Sequence, residues 1–342
     1  MTVKRQHLVW RKYLSSWTDK PETTNGKIFV YDKKTCEIRH NNINDVAVEK
    51  YTYDISGKSD ADVLLCKFYL NDWFSKNGFL INTNKFVLAD GNSERDFIEN
   101  NYISKLENEG LTYLQKLQNG QFPFSSENKI LHNIVIFKQN LLSSLLLGIP
   151  LLSDSEIDNI FRETLELSKT RDDRFSFFEF FTNQFLRTNR GRKAVLDATE
   201  STKKRFPKKE LYQKTTKYLF PLMMCVNTFV FAYSLWKSEF NLEILKNETP
   251  VDFITSDEPI INLCVDYKNM SIEEVDYMVL YYPITPKIAL LCKHGGYTNK
   301  TKDIKDSKKI IEFNLKMFDA ASRQVFSFNK DDFYKLGKIK TF

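Results

Sequence analysis

KIFVYDKKTCEIRH, residues 27–40, sets the fold class. Lys27–Tyr31 and Cys36–His40 are short strand-like runs, and Asp32-Lys33-Lys34-Thr35 between them is a polar connection of hairpin length. Asn44-Asp45 then precedes a short helical turn through Val48, and Tyr51–Ile55 reads as extended before the Ser56-Gly57-Lys58-Ser59 break. The first sixty residues are therefore mostly β.

Beyond Asp60 the apolar spacing lengthens to a helical period, with Val63, Leu64, Phe68, Trp73 and Phe74 in one segment and Ile98, Tyr102, Leu106, Tyr113, Leu114 and Leu117 in another. Lys129–Leu147, Ser153–Lys169 and Arg174–Arg187 continue the helical pattern. After Pro250 the chain returns to β, with short apolar runs at Asp252–Ser256, Ile260–Val265, Tyr277–Tyr282 and Lys287–Cys292. Pro283-Ile284-Thr285-Pro286 reads as a rigid bend, Asp306–Ser322 as a last helix, and Gln324–Phe328 as a final strand. The expected fold is α+β: a mainly helical middle (59–249) and a small mixed or antiparallel sheet built from the terminal segments (1–58 and 250–342). With no repeat or long linker, 1–342 reads as a single compact unit.

Composition agrees with this. Twenty-eight Phe and sixteen Tyr supply packing material for 342 residues, against eleven Gly and nine Pro. Cys36, Cys66, Cys225, Cys264 and Cys292 stand singly, without zinc-ligand spacing, and no apolar segment of signal type follows Met1–Lys12. A reducing, cytoplasmic location is the expectation. Tyr218–Trp236 is nineteen residues without a charge, the length of a membrane span. Pro221 and Asn227 interrupt it and globular sequence flanks it, so a buried helix is expected and no membrane span.

Charge is localised. Arg187–Lys217 carries eleven basic residues (Arg187, Arg190, Arg192, Lys193, Lys203, Lys204, Arg205, Lys208, Lys209, Lys214 and Lys217) against Asp197, Glu200 and Glu210, or +8 in a chain of net +6. Phe206, Tyr212 and Tyr218 lie among them. Cations that displace counterions from phosphates, with rings that stack on unpaired bases, suit nucleic acid; a solvated loop has the same composition.

Candidate site residues are few. His7 lies among Lys4, Arg5, Arg11 and Lys12, whose charge would keep its imidazole neutral, as a general base requires; a histidine hydrogen-bonded beneath the sheet is the other reading. Thr255-Ser256-Asp257-Glu258-Pro259 follows a strand, where carboxylates can orient a histidine or bind a metal; it also reads as a self-bonded polar turn. Asn314 shares a helical face with Ile311, Leu315 and Phe318 and is expected to point inward, and Arg323 just beyond can pair with an acid or a phosphate. The chain has no P-loop, no dinucleotide-binding glycine fingerprint, no HExxH and no GxSxG.

Five pieces in order, KRQHLVWRKYLSSW, IFVYDKKTCEIRHNNINDVAVEKYTYDI, FITSDEPI, YYPITPKIALLC and EFNLKMFDAASRQVFSF, resemble the bacterial family catalogued as domain of unknown function 4238. Leu8 and Trp10 stand where Tyr and Pro are usual in that pattern, and Asn77–Asn92 reads as an insertion. The resemblance implies a soluble protein of helices and a small sheet, marks His7, Thr255–Asp257 and Asn314 as motif positions, and supplies no reaction. Families of this kind look like parts of bacterial conflict systems.

Two functional expectations follow. One is a nucleic-acid-directed effector, a nuclease in antiphage defence, in which Arg187–Lys217 holds RNA or DNA and His7 is general acid or base. Asp257 then orients His7 or binds a divalent cation such as magnesium, Arg11 stabilises charge on phosphorus, and Thr255, Ser256, Glu258, Asn314 and Arg323 support them. The other is a non-enzymatic regulator or adaptor that binds nucleic acid or a protein partner.

Overall fold

The computed structural model describes residues 6–21, 23, 25–49, 104–124, 173–194, 224, 227–228, 231–232, 234–236, 238, 240–268, 278–295 and 299–337. The sequence expectations for Tyr51–Ile55, Asn77–Asn92, Lys129–Leu147 and Ser153–Lys169 lie outside these residues.

The hairpin forms as its sequence requires. β2 (Lys27–Asp32) and β3 (Glu37–Asn42) pair antiparallel from Lys27↔Asn42 to Asp32↔Glu37. Asp32 closes the turn by accepting from the Lys34 and Thr35 amides (2.9 and 3.3 Å), and Cys36 completes it at φ 58°. Upstream, β1 (Gln6–His7) pairs with β4 (Val48–Glu49), and the short α1 (Arg11–Leu14) runs into a 3₁₀ turn at Ser15–Trp17.

Two larger helices are described in the middle of the chain, α2 (Ser104–Gln118) and α3 (Asp173–Leu186). α3 is apolar around much of its circumference: Phe175, Phe177, Phe178, Phe180 and Phe181 are all essentially inaccessible. A helix of this kind needs protein on every side. α2 supplies part of it, with Tyr113 edge-on to Phe177 (5.7 Å) and Gly110 beneath the Phe180 ring.

The C-terminal third builds the sheets. β5 (Phe240–Asn247), β7 (Ile261–Asn262), β8 (Val279–Thr285), β9 (Ile288–His294) and β10 (Lys300–Ile304) form a five-stranded sheet in the order β10-β5-β9-β8-β7. All its pairs are antiparallel except β10 with β5. β6 (Thr255–Ser256) and β11 (Gln324–Ser327) complete a four-stranded antiparallel sheet with the hairpin, in the order β3-β2-β11-β6. Between β10 and β11 runs α4 (Ser307–Ala320), whose Asp306 cap accepts from the Lys308 amide (2.9 Å); α5 (Asp331–Lys335) follows.

Both faces of the five-stranded sheet are covered. Tyr282 turns one way, stacking on Tyr13 (5.0 Å) and meeting Phe181 edge-on (5.9 Å). Its neighbour Tyr281 turns the other way and stacks on Phe313 of α4 (4.8 Å). One cluster of buried apolar residues extends from Val9 to Leu336 and includes all of these elements but the exposed rims.

α+β therefore holds, but two sheets of four and five strands stand where one small sheet was expected. β5 begins at Phe240, inside the segment read as helical. Its sequence FNLEILKN alternates only from Phe240 to Ile244 before Leu245 breaks the pattern, too short a stretch to stand out after the long uncharged helix-like segment, and Asn241 and Glu243 are buried all the same. β10, KTKDI, was unread because an exposed, charged edge strand resembles a loop. Pro283 lies within β8 instead of in a bend; the pairing with β9 shifts between Pro283 and Thr285, which accommodates a residue without an N–H.

A methyl group at Gly110 would lie 2.2 Å from the Phe180 ring. Helix propensity favours alanine by about 0.5–1 kcal/mol, whereas overpacking a helix contact costs about 1–3 kcal/mol. Gly110→Ala is therefore expected to lower stability, and a gain in urea midpoint would contradict this packing.

Candidate functional site

β6 is only two residues long because the chain must leave the sheet to place Asp257 and Glu258 in the corner between α4 and β11. There the Ser322, Arg323 and Gln324 amides have no partner within helix or strand. Asp257 supplies one: Oδ1 accepts from Ser322 N (3.0 Å), and Oδ2 from Arg323 N (2.8 Å) and Gln324 N (3.1 Å). The Asp257 amide in turn donates to Gln324 O (2.9 Å).

The other motif residues are held in the same way. Tyr13 donates its hydroxyl proton to Pro283 O (2.6 Å), which leaves Thr255 Oγ1 as donor to the Tyr13 oxygen (2.6 Å). Ser256 Oγ accepts from the Glu258 amide (3.0 Å) and lies 3.2 Å from Met317 Sδ. Glu258 Oε1 accepts from the Arg190 amide (2.9 Å) and from Ser322 Oγ (2.6 Å). Asn314 points inward as expected: its Oδ1 accepts from Ile254 N (3.0 Å) and its Nδ2 donates to Asp252 O (2.8 Å), so it fixes α4 to the strand entering the motif. Arg323 reaches across to Asp32 of the hairpin (2.9 Å).

Two adjacent acids in this corner are each only 3% exposed. Burial pushes Asp257 up to about 6 although three backbone amides pull it down. Glu258 is pushed up to about 7, by burial first and by the Asp257 charge second. Both titrate near neutrality, where proton transfer is useful.

His7 and Arg11 occupy different surroundings. His7 is half-buried in β1 opposite Val48, and its carbonyl accepts from Arg187 (2.7 Å). Arg11 donates to Asn44 Oδ1 (2.8 Å) at the surface. The N-terminal strands meet the carboxylate corner through Gln324, whose side chain accepts from Ala47 N (3.0 Å). Asp257 thus braces backbone amides; with three of its roughly four lone-pair sites filled, it has little left for an imidazole or a cation. Among the described residues no three His, Cys, Asp or Glu side chains group to hold a metal ion.

The basic segment starts inside the protein. Arg187 is 3% exposed, paired with Glu107 of α2 (2.7 Å), and Arg190 donates to Ala320 O while its guanidinium covers the Tyr267 ring (4.4 Å). These two cations tie the end of α3 to α2, β1 and α4, which corrects the expectation that they hold phosphates. Arg192 is half-buried and Lys193 exposed. Lys203, Lys204, Arg205, Lys208 and Lys209 lie outside the described residues. No helix among the described residues is long and apolar enough to cross a membrane.

Sequence reasoning missed Tyr13, Arg190 as a fold element, and Ser322. Tyr13 and Thr255 are 242 positions apart, so no local signal joins them.

The model of the family described as Protein of unknown function (DUF4238) matches residues 5–141 and 226–331. The match takes in every strand, α1, α2 and α4, and leaves out α3 and the basic segment. No curated protein and no solved structure matches the chain.

Asp257→Ala strands three amides and is expected to cost on the order of 3 kcal/mol, read as a lower urea midpoint. The pH dependence has a definite sign. Both acids hold a proton more tightly folded than unfolded, so stability falls as pH rises from about 4 through about 7. Glu258→Gln keeps the acceptor without the charge; its melting temperature should change less over that window and exceed the parent's at pH 8, and an unchanged slope would refute the assignment.

Proposed function

We propose that this chain, which belongs to the family described as Protein of unknown function (DUF4238), is a nucleic-acid-directed binding protein whose motif residues hold the fold and whose 187–217 segment holds phosphates. The observation that carries this reading is the concentration of +8 formal charge in 31 residues that follow a largely buried helix. Arg187 and Arg190 anchor the start of that segment on Glu107, the His7 carbonyl and the Ala320 carbonyl. The exposed Lys193 and the cations after it are then presented from a fixed base. A segment anchored at its root loses less freedom on binding than a free tail does.

The motif side chains support binding over catalysis. Thr255, Ser256, Asp257 and Asn314 have their polar atoms occupied by backbone groups or by Tyr13. The family match, which omits the basic segment, suggests in turn that the scaffold is the shared part and the polyanion arm a property of this chain. The proposed setting is the cytoplasm of a bacterium, where an effector of antiphage defence would meet RNA or DNA.

A nuclease is the second reading. It rests on the adjacent acids Asp257 and Glu258, whose protons come off near neutrality. This reading requires His7 and Arg11, which stand in other surroundings, to be brought to the acids by bound substrate, with magnesium as the expected cation.

The test is fluorescence anisotropy with labelled tRNA and with single-stranded and duplex DNA over a salt series. Five phosphate contacts on a single strand give a log–log salt slope of roughly −3 to −4. Reversing Lys203, Lys204, Arg205, Lys208 and Lys209 to glutamate should flatten that slope and weaken binding by at least about tenfold. Unchanged affinity would overturn the reading. The same samples, incubated with magnesium, manganese or chelator beside His7→Ala and Asp257→Ala, separate the two: cleavage that both variants lose, while still folded, favours the nuclease.

A further inference from the structure

α4 does not cover its face of the five-stranded sheet evenly. Phe313 seats it on Tyr281 of β8 and Asn314 ties it to the 252–254 backbone, while Lys309, Glu312 and Lys316 flank a gap over β5 and β10. The space left is a half-open cleft of about 340 Å³. Its floor is Leu245, Leu263, Leu291, Ile304 and the edge of Phe313. Around it stand Lys302 of β10 and Lys309 and Lys316 of α4.

The rim carries more basic than acidic side chains. Lys302, Lys309 and Lys316 are exposed, and none of their ammonium groups makes a hydrogen bond or ion pair among the described residues. Of the two acids at the cleft, Glu243 is already paired with Lys293. Glu312 lies between the two helical lysines. Lys309 and Lys316 are two turns apart on one helix, about 10 Å along its axis. Residues four apart in an extended chain share one face about 13 Å apart, a span that long, flexible lysine side chains can meet.

We propose that this cleft docks an extended acidic peptide of a partner protein, an apolar side chain entering between two carboxylates that meet Lys309 and Lys316. An apolar floor buried by one large side chain supplies affinity, and the lysines supply register and selection against basic peptides. The volume lies at the small end of binding cavities, which suits a single anchor. A nucleic-acid strand fits less well: the aliphatic floor offers its bases little to stack on.

The test pans a phage-displayed library of random peptides against the full chain. The enriched peptides should carry two acidic residues flanking Leu, Ile or Phe. Synthesised with a fluorophore, they should bind about tenfold more weakly to the Lys302→Glu, Lys309→Glu, Lys316→Glu triple variant. They should bind equally well to a chain reversed at Lys203, Lys204 and Arg205, and oligothymidylate should not displace them. A melting temperature within a few degrees of the parent's confirms that the triple variant folds, since all three lysines are exposed. Absence of acidic, apolar peptides among the enriched set, undiminished affinity for the triple variant, or displacement by oligothymidylate would each overturn the proposal.

Discussion

The Asp257 carboxylate is the contact on which the C-terminal architecture depends. Three successive amides, at Ser322, Arg323 and Gln324, face inward where the chain turns from α4 into β11. Buried amides require acceptors, and a strand immediately after a helix cannot supply them from its own backbone. One side chain from the end of β6 satisfies all three. Because β6 also pairs with β11, the same short segment sets the turn and the register beside it.

From that corner the rest of the fold can be traced outward. Glu258 joins it to the end of α3 through the Arg190 amide, Thr255 joins it to the N-terminal helix through Tyr13, and Asn314 joins it to the strand that enters it. Lys33 in the hairpin turn donates to Phe318 O (3.0 Å) and Ala321 O (2.7 Å), closing the carbonyl end of α4. The two sheets are thus held together by polar contacts around one helix end and by aromatic packing between α1, α3 and β8. Burial of two neighbouring acids is the cost of this arrangement, visible in their raised proton affinity.

The scaffold matched by the family model is the part that the motif residues brace, whereas the +8 segment starts at the buried Arg187 and the half-buried Arg190. The cleft beside α4 is a second cationic surface of another character. Its lysines frame an apolar floor, whereas the 187–217 segment intersperses its cations with aromatic residues. Charge of one sign therefore has two different chemistries in this chain, set by what lies between the cations.

The sequence by itself determined those features whose causes are local. The 27–40 hairpin, the 307–320 helix with its Asp306 cap, the inward Asn314 and the helix at 173–186 are all written in spacing and turn residues within a few positions of one another. Tertiary structure alone decided the rest. β5 alternates for only five residues, and the burial of its polar Asn241 and Glu243 comes from helices and strands distant in the chain. The lone turn-like look of Thr255–Glu258 conceals a carboxylate whose partners lie 65–67 residues on, and Arg187, which reads as one more surface cation, is buried against Glu107 eighty positions away. Residue type states what a group can bond; only the folded chain brings the partner within reach and removes the water that would otherwise have taken its place.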